Sequence, residues 1–262
     1  MKTTDTGSLG PPRLARPPRA ALWSARFDVL QSLTGLALAL FMWAHMFLVS
    51  SILLGKDAMW AVAKFFEGYF IFGRSIPLLV SVVVAGIAVL FVGHAALALR
   101  KFPAGYRQFH AFRRHMVGMR HEDTTLWLWQ VVSGFALFFL ASVHLYIMLT
   151  RPDRIGPYAS ADRVWTEHLW PLYLVLLFAV EIHAGIGLYR LAIKWGWPAS
   201  ADPARTRRGL KRLKWILTAF FVSVGLATLA AYVKIGIEHQ GHYGERYVPA
   251  SMIPAPARGG QR

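Results

Sequence analysis

The chain has 262 residues, of which 55% are hydrophobic and 16% charged, and this composition excludes an intrinsically disordered protein. Cysteine is absent, which excludes disulfides, thiolate-bound zinc, iron–sulfur ligation within this chain and covalent attachment of c-type haem. A formal net charge of +16 would suggest nucleic-acid binding if the basic residues formed one patch on a soluble fold. They lie instead in short gaps between long apolar stretches, a distribution that indicates an integral membrane protein with no nucleic-acid partner.

Apolar stretches long enough to cross about 30 Å of hydrocarbon, at about 1.5 Å per residue, occur five times. They cover residues 27–54, 76–99, 125–149, 169–193 and 214–236. These stretches predict an all-α membrane protein, a five-transmembrane-helix bundle that forms a single domain over residues 1–262. A shorter aromatic piece, residues 57–72, contains Lys64 and Glu67 and predicts a short interfacial helix between the first and second spans.

The distribution of basic residues predicts the orientation of the bundle. Residues 1–25 are rich in Pro and Arg without an apolar core, so the first span itself is expected to act as the insertion signal. Nineteen of the 29 Lys and Arg residues fall in the connections on one side of the membrane and 10 on the other. The richer side is predicted to be cytoplasmic, with the N terminus inside and the C terminus periplasmic, in a multi-pass protein of the inner membrane. The roles of residues 1–25 and 238–262 stay open.

Each of the first four spans carries a histidine, whereas the fifth carries none. The helical rise places His45 about 13 Å and His144 about 9 Å from the outer ends of their spans. On the same scale, His94 and His183 lie about 25 and 20 Å from the outer side. The four histidines are therefore predicted to form an outer pair, His45 with His144, and an inner pair, His94 with His183.

Paired imidazoles from neighbouring helices are typical axial ligands of a low-spin haem b. Imidazole binds iron in its neutral form, so it can lie in hydrocarbon without the cost of a buried charge. Two such haems, with iron atoms about 10–15 Å apart by the helical rise, would form an electron path across the bilayer. The alternative is four unrelated hydrogen-bonding side chains between helices, which leaves the pairing by depth unexplained.

Glycines in the middle of the spans are compatible with haem binding, because a residue without Cβ lets the backbone approach a porphyrin closely. The glycines concerned are Gly35, Gly93, Gly134, Gly185 and Gly187. Ordinary packing of small residues between membrane helices explains them equally well.

Long segments of the chain resemble the dihaem cytochrome b subunits of menaquinol:fumarate reductases, in the succinate:quinone oxidoreductase superfamily. The segments are QSLTGLALALFMWAHMFLVSSILLG, HEDTTLWLWQ, GFALFFLASVHLYIMLT and WPLYLVLLFAVEIHAGIGLYRLAIKWGW. The resemblance runs from about Phe27 to Lys234 and has all four histidines in register. It implies a membrane anchor for two cytoplasmic partner subunits, a flavoprotein with covalent FAD and an iron–sulfur protein, in a dimer of heterotrimers.

The same resemblance implies how electrons travel. Menaquinol would be oxidised near the periplasmic side, and its electrons would pass through two b haems to the iron–sulfur subunit for fumarate reduction in anaerobic respiration. His45 and His144 would bind the distal haem iron, and His94 and His183 the proximal one, which is the pairing that depth predicts.

Further site residues follow from the resemblance position by position. Gln31, Ser32, Trp127 and Lys194 match residues that hold the proximal haem propionates. A lysine cation and an indole N–H suit that role, although anchoring at the membrane interface is the common role of Trp and Lys at helix ends.

Two acids complete the predicted sites. Glu67 matches the acid of the menaquinol site, and a carboxylate is a suitable acceptor because quinol oxidation releases two protons; the alternative is a solvated loop acid. Glu181 is the only acid deep in a span and lies about 200° around the helix from His183. The resemblance implies that Glu181 carries protons through the membrane, and the alternative is a neutral carboxyl hydrogen-bonded to another helix.

Three other functions stay open at this point. The same fold could run in reverse as a succinate:quinone reductase, since the spans and ligands would be identical. A dihaem cytochrome b of a hydrogenase or formate dehydrogenase would differ in its soluble partners. A haem-free transporter could use Glu181 and the histidines as a proton relay. The sequence does not decide the physiological direction, the haem potentials, the quinone subtype or the oligomeric state.

Overall fold

The computed structural model describes residues 19–103, 105–118, 122–198 and 201–252. Secondary structure within these ranges is helical, without strands, as the composition predicts. The helices are α1 Arg19–Val49, which continues as a 3-10 turn Ser50–Leu54, α2 Lys56–Phe66, α3 Tyr69–Phe72, α4 Leu78–Leu99, α5 Tyr106–Gly118, α6 Glu122–Thr150, α7 Pro157–Val164, α8 Trp170–Trp195 and α9 Pro203–Glu238, with a short 3-10 turn Ala250–Met252.

Five of these helices are long and apolar enough to cross a membrane: α1 with its 3-10 extension, α4, α6, α8 and α9. The predicted all-α bundle of five membrane helices is confirmed. Helix α6 packs against α4 and α8, while α1 packs against α4 and α9 against α8. Gly225 of α9 faces the Leu177 side chain of α8, and an added Cβ would overlap Leu177 Cδ1, so the two helices approach closely at this glycine.

The last membrane helix begins at Pro203, earlier than the predicted residue 214. The Asp202 carboxylate accepts the backbone N–H groups of Ala204 and Arg205 at 2.9 and 3.0 Å, and Pro203 occupies the first turn. Hydropathy did not indicate this extension, because the added turns are basic and are held by an N-cap.

Acidic residues at the start of α6 hold the basic extension of α9. Arg207 pairs with Asp123 at 2.8 Å, and Lys211 pairs with Glu122 at 2.6 Å. The Tyr189 hydroxyl of α8 donates to Asp123 at 3.0 Å. Three of the membrane helices are therefore joined by polar contacts at the end that is predicted to be cytoplasmic.

The connection between the first two spans contains two short helices where the sequence predicts one. The chain breaks at Gly68, whose φ of +74° favours glycine, and an added Cβ there would lie 2.7 Å from Leu79 Cδ1. The Glu67 carbonyl then accepts the Ile76 N–H at 2.8 Å and closes a loop around α3. The location of α2 and α3 at the membrane surface stays a prediction.

A short helix that the sequence did not predict, α7, fills the connection between the third and fourth spans. Its Asp162 is 1% exposed, and Asp162 Oδ1 lies 3.2 Å from Nδ1 of His239 in the segment after α9. The Tyr158 ring stacks on His239 with ring centres 4.1 Å apart. Farther along, the Tyr247 hydroxyl donates to Asp57 of α2 at 2.6 Å, which raises the pKa of Tyr247 to about 12.

The segment after α9 therefore covers this end of the bundle, which is predicted to be periplasmic. Of the two tails whose roles stay open, residues 1–18 and 253–262 lie outside the described residues.

Candidate functional site

The outer pair of histidines meets between α1 and α6. The ring centres of His45 and His144 lie 6.1 Å apart, with 53° between the ring planes. Phe41 stacks on His45 at 5.7 Å, and Tyr173 of α8 presents its ring edge-on to His144 at 5.6 Å. In the described part of the chain, the buried Nδ1 of His144 has no hydrogen-bond partner.

The inner pair of histidines meets between α4 and α8. The ring centres of His94 and His183 lie 6.5 Å apart, with perpendicular ring planes. His183 Nδ1 donates to the Gln130 carbonyl at 2.9 Å, and His94 Nδ1 lies 3.1 Å from the Thr34 hydroxyl. A histidine that binds a metal commonly uses its other ring nitrogen for such an orienting contact. Both rings therefore have Nε2 left for a ligand.

These pairs are the ones that the depth of the residues predicts, and their spacing fits a metal between two imidazoles. An imidazole nitrogen binds a first-row metal at about 2.0 Å, and the ring centre lies about 1 Å farther, so two such ligands hold their ring centres about 6 Å apart. The described residues include no group of three His, Cys, Asp or Glu side chains that could hold a bare ion. Two imidazoles suit a haem iron, which brings the four nitrogens of its porphyrin.

Two glycines lie in close contact with the imidazole rings of the inner histidine pair. A Cβ added to Gly35 of α1 would lie 2.8 Å from His94 Cε1, and one added to Gly134 of α6 would lie 2.9 Å from His183 Cε1. These glycines admit the imidazoles themselves, whereas the expectation from the sequence is close approach of a porphyrin. The remaining mid-span glycines do not face a histidine ring: Gly93, Gly185 and Gly187.

Two of the four predicted propionate contacts lie together at the inner end of the bundle. Lys194 Nζ donates to Ser32 Oγ at 3.0 Å and to the Asp28 carboxylate at 2.8 Å. Lys101 also pairs with Asp28, which thus bridges α1, α8 and the residues that follow α4. Asp28 is not among the residues predicted for this site, although its position one helical turn before Ser32 is a usable signal.

The other two predicted propionate contacts are near the same end of the bundle. Gln31 precedes Ser32, and its buried Oε1 has no hydrogen-bond partner among the residues that the structure describes. The Trp127 ring of α6 lies against Phe102, with ring centres 6.4 Å apart.

Glu67 is buried, with 2% of its surface exposed, where the sequence alone favoured a solvated loop acid. Its Oε2 accepts Lys64 Nζ at 2.6 Å, three residues earlier on the same turn of helix. Burial and an ion pair distinguish it from an ordinary surface acid, because charged side chains are almost never fully buried unless they are paired.

Glu181 is also buried, with 1% of its surface exposed, inside α8. Its Oε1 has no hydrogen-bond partner within the described ranges. For this oxygen, the structure therefore does not support the alternative that the carboxyl is hydrogen-bonded to another helix.

Comparison with known proteins identifies the family. The model of the family described as "Succinate dehydrogenase/Fumarate reductase transmembrane subunit" matches residues 106–226. A fumarate reductase cytochrome b subunit of Helicobacter pylori is 55% identical over 216 residues, which cover 82% of this chain and 83% of the relative. The chain belongs to this family. The fumarate reductase cytochrome b subunit of Wolinella succinogenes is likewise 55% identical, over 82% of this chain and 84% of the relative.

Membership of the succinate dehydrogenase/fumarate reductase transmembrane family confirms the resemblance that the long sequence segments indicate. In this member of the family, a buried cation that the sequence does not indicate lies beside the outer histidines. Arg163 of α7 is 7% exposed, donates to the Arg154 carbonyl and interacts electrostatically with His144 and Tyr173.

No carboxylate of the described residues lies within ion-pair distance of Arg163. A buried cation needs a counter-charge, so Arg163 is a candidate contact for an anionic group of a ligand beside His144. The sequence signal was weak, because Arg163 lies among ordinary polar residues between two spans.

Proposed function

We propose that the chain is the cytochrome b subunit of a menaquinol:fumarate reductase in the bacterial inner membrane, with its N terminus in the cytoplasm. The observation that carries this proposal is the presence of two separate histidine pairs, 6.1 and 6.5 Å between ring centres, in a chain 55% identical to fumarate reductase cytochrome b subunits. Its partners are a flavoprotein with FAD and an iron–sulfur protein on the cytoplasmic face, in a dimer of heterotrimers.

Each histidine pair binds one haem b. His45 and His144 hold the distal iron, and His94 and His183 hold the proximal one. When bound, the two haems supply one-electron transfer across the membrane, from menaquinol on the periplasmic side to the iron–sulfur subunit. The protein orients the inner ligands through the contacts of their Nδ1 atoms with Thr34 and Gln130.

Haem propionates are anions and need donors at the edge of the bundle. Lys194 and Ser32, 3.0 Å apart, are the proposed contacts of the proximal propionates, together with Gln31 and Trp127. The Asp28 carboxylate accepts Lys194 and Lys101, so this end of the bundle offers two cations to a single acid. The surplus positive charge favours a further anion.

Glu67 is the proposed proton acceptor for menaquinol. Menaquinol loses two electrons, which leave toward the iron–sulfur subunit, and two protons to become menaquinone. A Glu67 carboxylate oxygen takes the protons one at a time and passes the first to the periplasm before it accepts the second. Burial of the acid beside a lysine provides a base shielded from bulk water.

Glu181 is proposed to carry protons through the membrane. The support is a buried carboxyl in a membrane-spanning helix, with one oxygen left without a hydrogen-bond partner in the described ranges.

Succinate oxidation with quinone reduction would use the same residues, so the physiological direction of the reaction is decided by assay. The purified complex is expected to couple oxidation of a menaquinol analogue to fumarate reduction faster than it couples succinate to quinone. Glu67→Gln is expected to block menaquinol oxidation while both haems are retained.

Faster succinate oxidation would assign the reverse reaction, and co-purification with a nickel or metal–pterin subunit would assign a hydrogenase or formate dehydrogenase. A protein without b-type haem would support a transporter.

A further inference from the structure

Lys64, which has no role in the proposed function, contacts the proposed proton acceptor Glu67 directly. Its Nζ lies 2.6 Å from Glu67 Oε2 and 3.0 Å from Ser75 Oγ. The Glu67 side chain is 3% exposed and the Lys64 side chain 19% exposed, so the pair lies largely away from solvent.

The backbone of the loop brings these three side chains together. The left-handed Gly68 reverses the chain directly after Glu67, and the Ile76 N–H returns to the Glu67 carbonyl at 2.8 Å. This closure places Ser75 next to Lys64, eleven residues away along the chain. The lysine is therefore held from both ends of the loop, which fixes the direction from which Nζ approaches the carboxylate.

A buried carboxylate without a cation favours its protonated form, because burial penalises the charge. A protonated carboxyl cannot accept a proton from menaquinol, so the base must remain ionised before the substrate arrives. Within the described part of the chain, Lys64 is the one charged group within ion-pair distance of Glu67. Arg74, the other cation of this loop, is exposed.

We propose that Lys64 is the positioning residue of the menaquinol site: its ammonium keeps Glu67 ionised and occupies Oε2, which leaves Oε1 to take the proton from menaquinol. This inference rests on the proposed function, since it acts through Glu67. After the transfer the carboxyl is neutral, its attraction to Lys64 weakens, and the proton can leave toward the periplasm. Lys64 itself gives up no proton in this step.

The test is the pH profile of kcat/KM for menaquinol-analogue oxidation by the assembled complex, for wild type, Lys64→Met, Lys64→Gln and Lys64→Arg. Loss of the cation is expected to move the acid limb upward by about one to three pH units, the usual effect of an opposite charge at this distance. Lys64→Arg keeps the charge and is expected to restore most of the wild-type profile. Arg74→Met removes an exposed cation of the same loop and is the matched control.

Two companion measurements separate the sources of failure. Fumarate reduction driven by a reduced viologen bypasses menaquinol and is expected to keep its wild-type pH profile in every Lys64 variant. Glu67→Gln tests the proposed function itself: full menaquinol oxidation by that variant would remove Glu67 from the reaction.

If Glu67→Gln is inactive but Lys64→Met and Lys64→Gln lose rate equally at all pH values, Lys64 has only a structural role and the inference is wrong. If Lys64→Met fails to assemble, Lys64→Gln decides the question. It retains a hydrogen-bond donor near Ser75 and must still show the upward shift.

Discussion

The close contact between Gly35 and the His94 ring allows a direct test of the proximal haem site. Ordinary carbon–carbon contacts lie at about 3.5–4.0 Å, whereas a Cβ at position 35 would lie 2.8 Å from His94 Cε1. The ring in Gly35→Ala must therefore retreat by about 0.7 Å or more. Metal–ligand bonds tolerate deviations of about 0.2 Å, so the displacement is several times too large for the iron–imidazole bond.

We expect Gly35→Ala to lose the proximal haem and to keep the distal one, so that haem content falls by about half. Gly134→Ala, with its Cβ 2.9 Å from His183 Cε1, is expected to lose the same haem. The assay is pyridine extraction of the purified complex together with a redox titration that assigns the remaining haem.

Gly86→Ala is the matched control, because Gly86 lies on the same helix as His94 and an added Cβ there meets no atom within 4 Å. A glycine-to-alanine change inside a helix gains about 0.5–1 kcal/mol from backbone entropy, so a general loss of helix stability does not explain a selective loss of haem. If Gly35→Ala retains both haems with unchanged potentials, the close contact at Gly35 is not needed to hold His94 as a haem ligand.

Three further changes test separate parts of the site. Lys194→Met is expected to lower the reduction potential of the proximal haem alone, by about 20–40 mV, because a partly exposed charge is worth up to about 1 kcal/mol. An unchanged redox titration would show that Lys194 does not contact the propionates. Gly68→Ala forces a positive φ on alanine and a contact with Leu79, so menaquinol oxidation is expected to fall several-fold while viologen-driven fumarate reduction is unchanged; equal loss in both assays would contradict a local effect. Glu181→Gln is expected to impair turnover with full haem content, and wild-type turnover would leave Glu181 a structural role only.

Much of the fold could be predicted because a bilayer imposes a simple rule on the sequence. Each span must be a long apolar helix, so the number of spans and their approximate positions follow from hydropathy. The pairing of His45 with His144 and of His94 with His183 follows from the fixed rise of a helix once the topology is assigned.

The missed features depend on contacts between segments that are distant in sequence. The early start of α9 needs Asp202 as an N-cap and acids on α6 as partners. The break at Gly68 needs the return of Ile76 to the Glu67 carbonyl. Arg163 and Asp28 look like ordinary connecting or interfacial charges until the fold places them beside His144 and Lys194.

The most direct test of the account is the number of haems per chain in the wild-type complex and in the four single histidine-to-alanine variants, assigned by redox titration. We expect two b haems in the wild type, loss of the distal haem in His45→Ala and His144→Ala, and loss of the proximal haem in His94→Ala and His183→Ala. A wild-type protein without b haem, or an outer-pair variant that loses only the proximal haem, would contradict it.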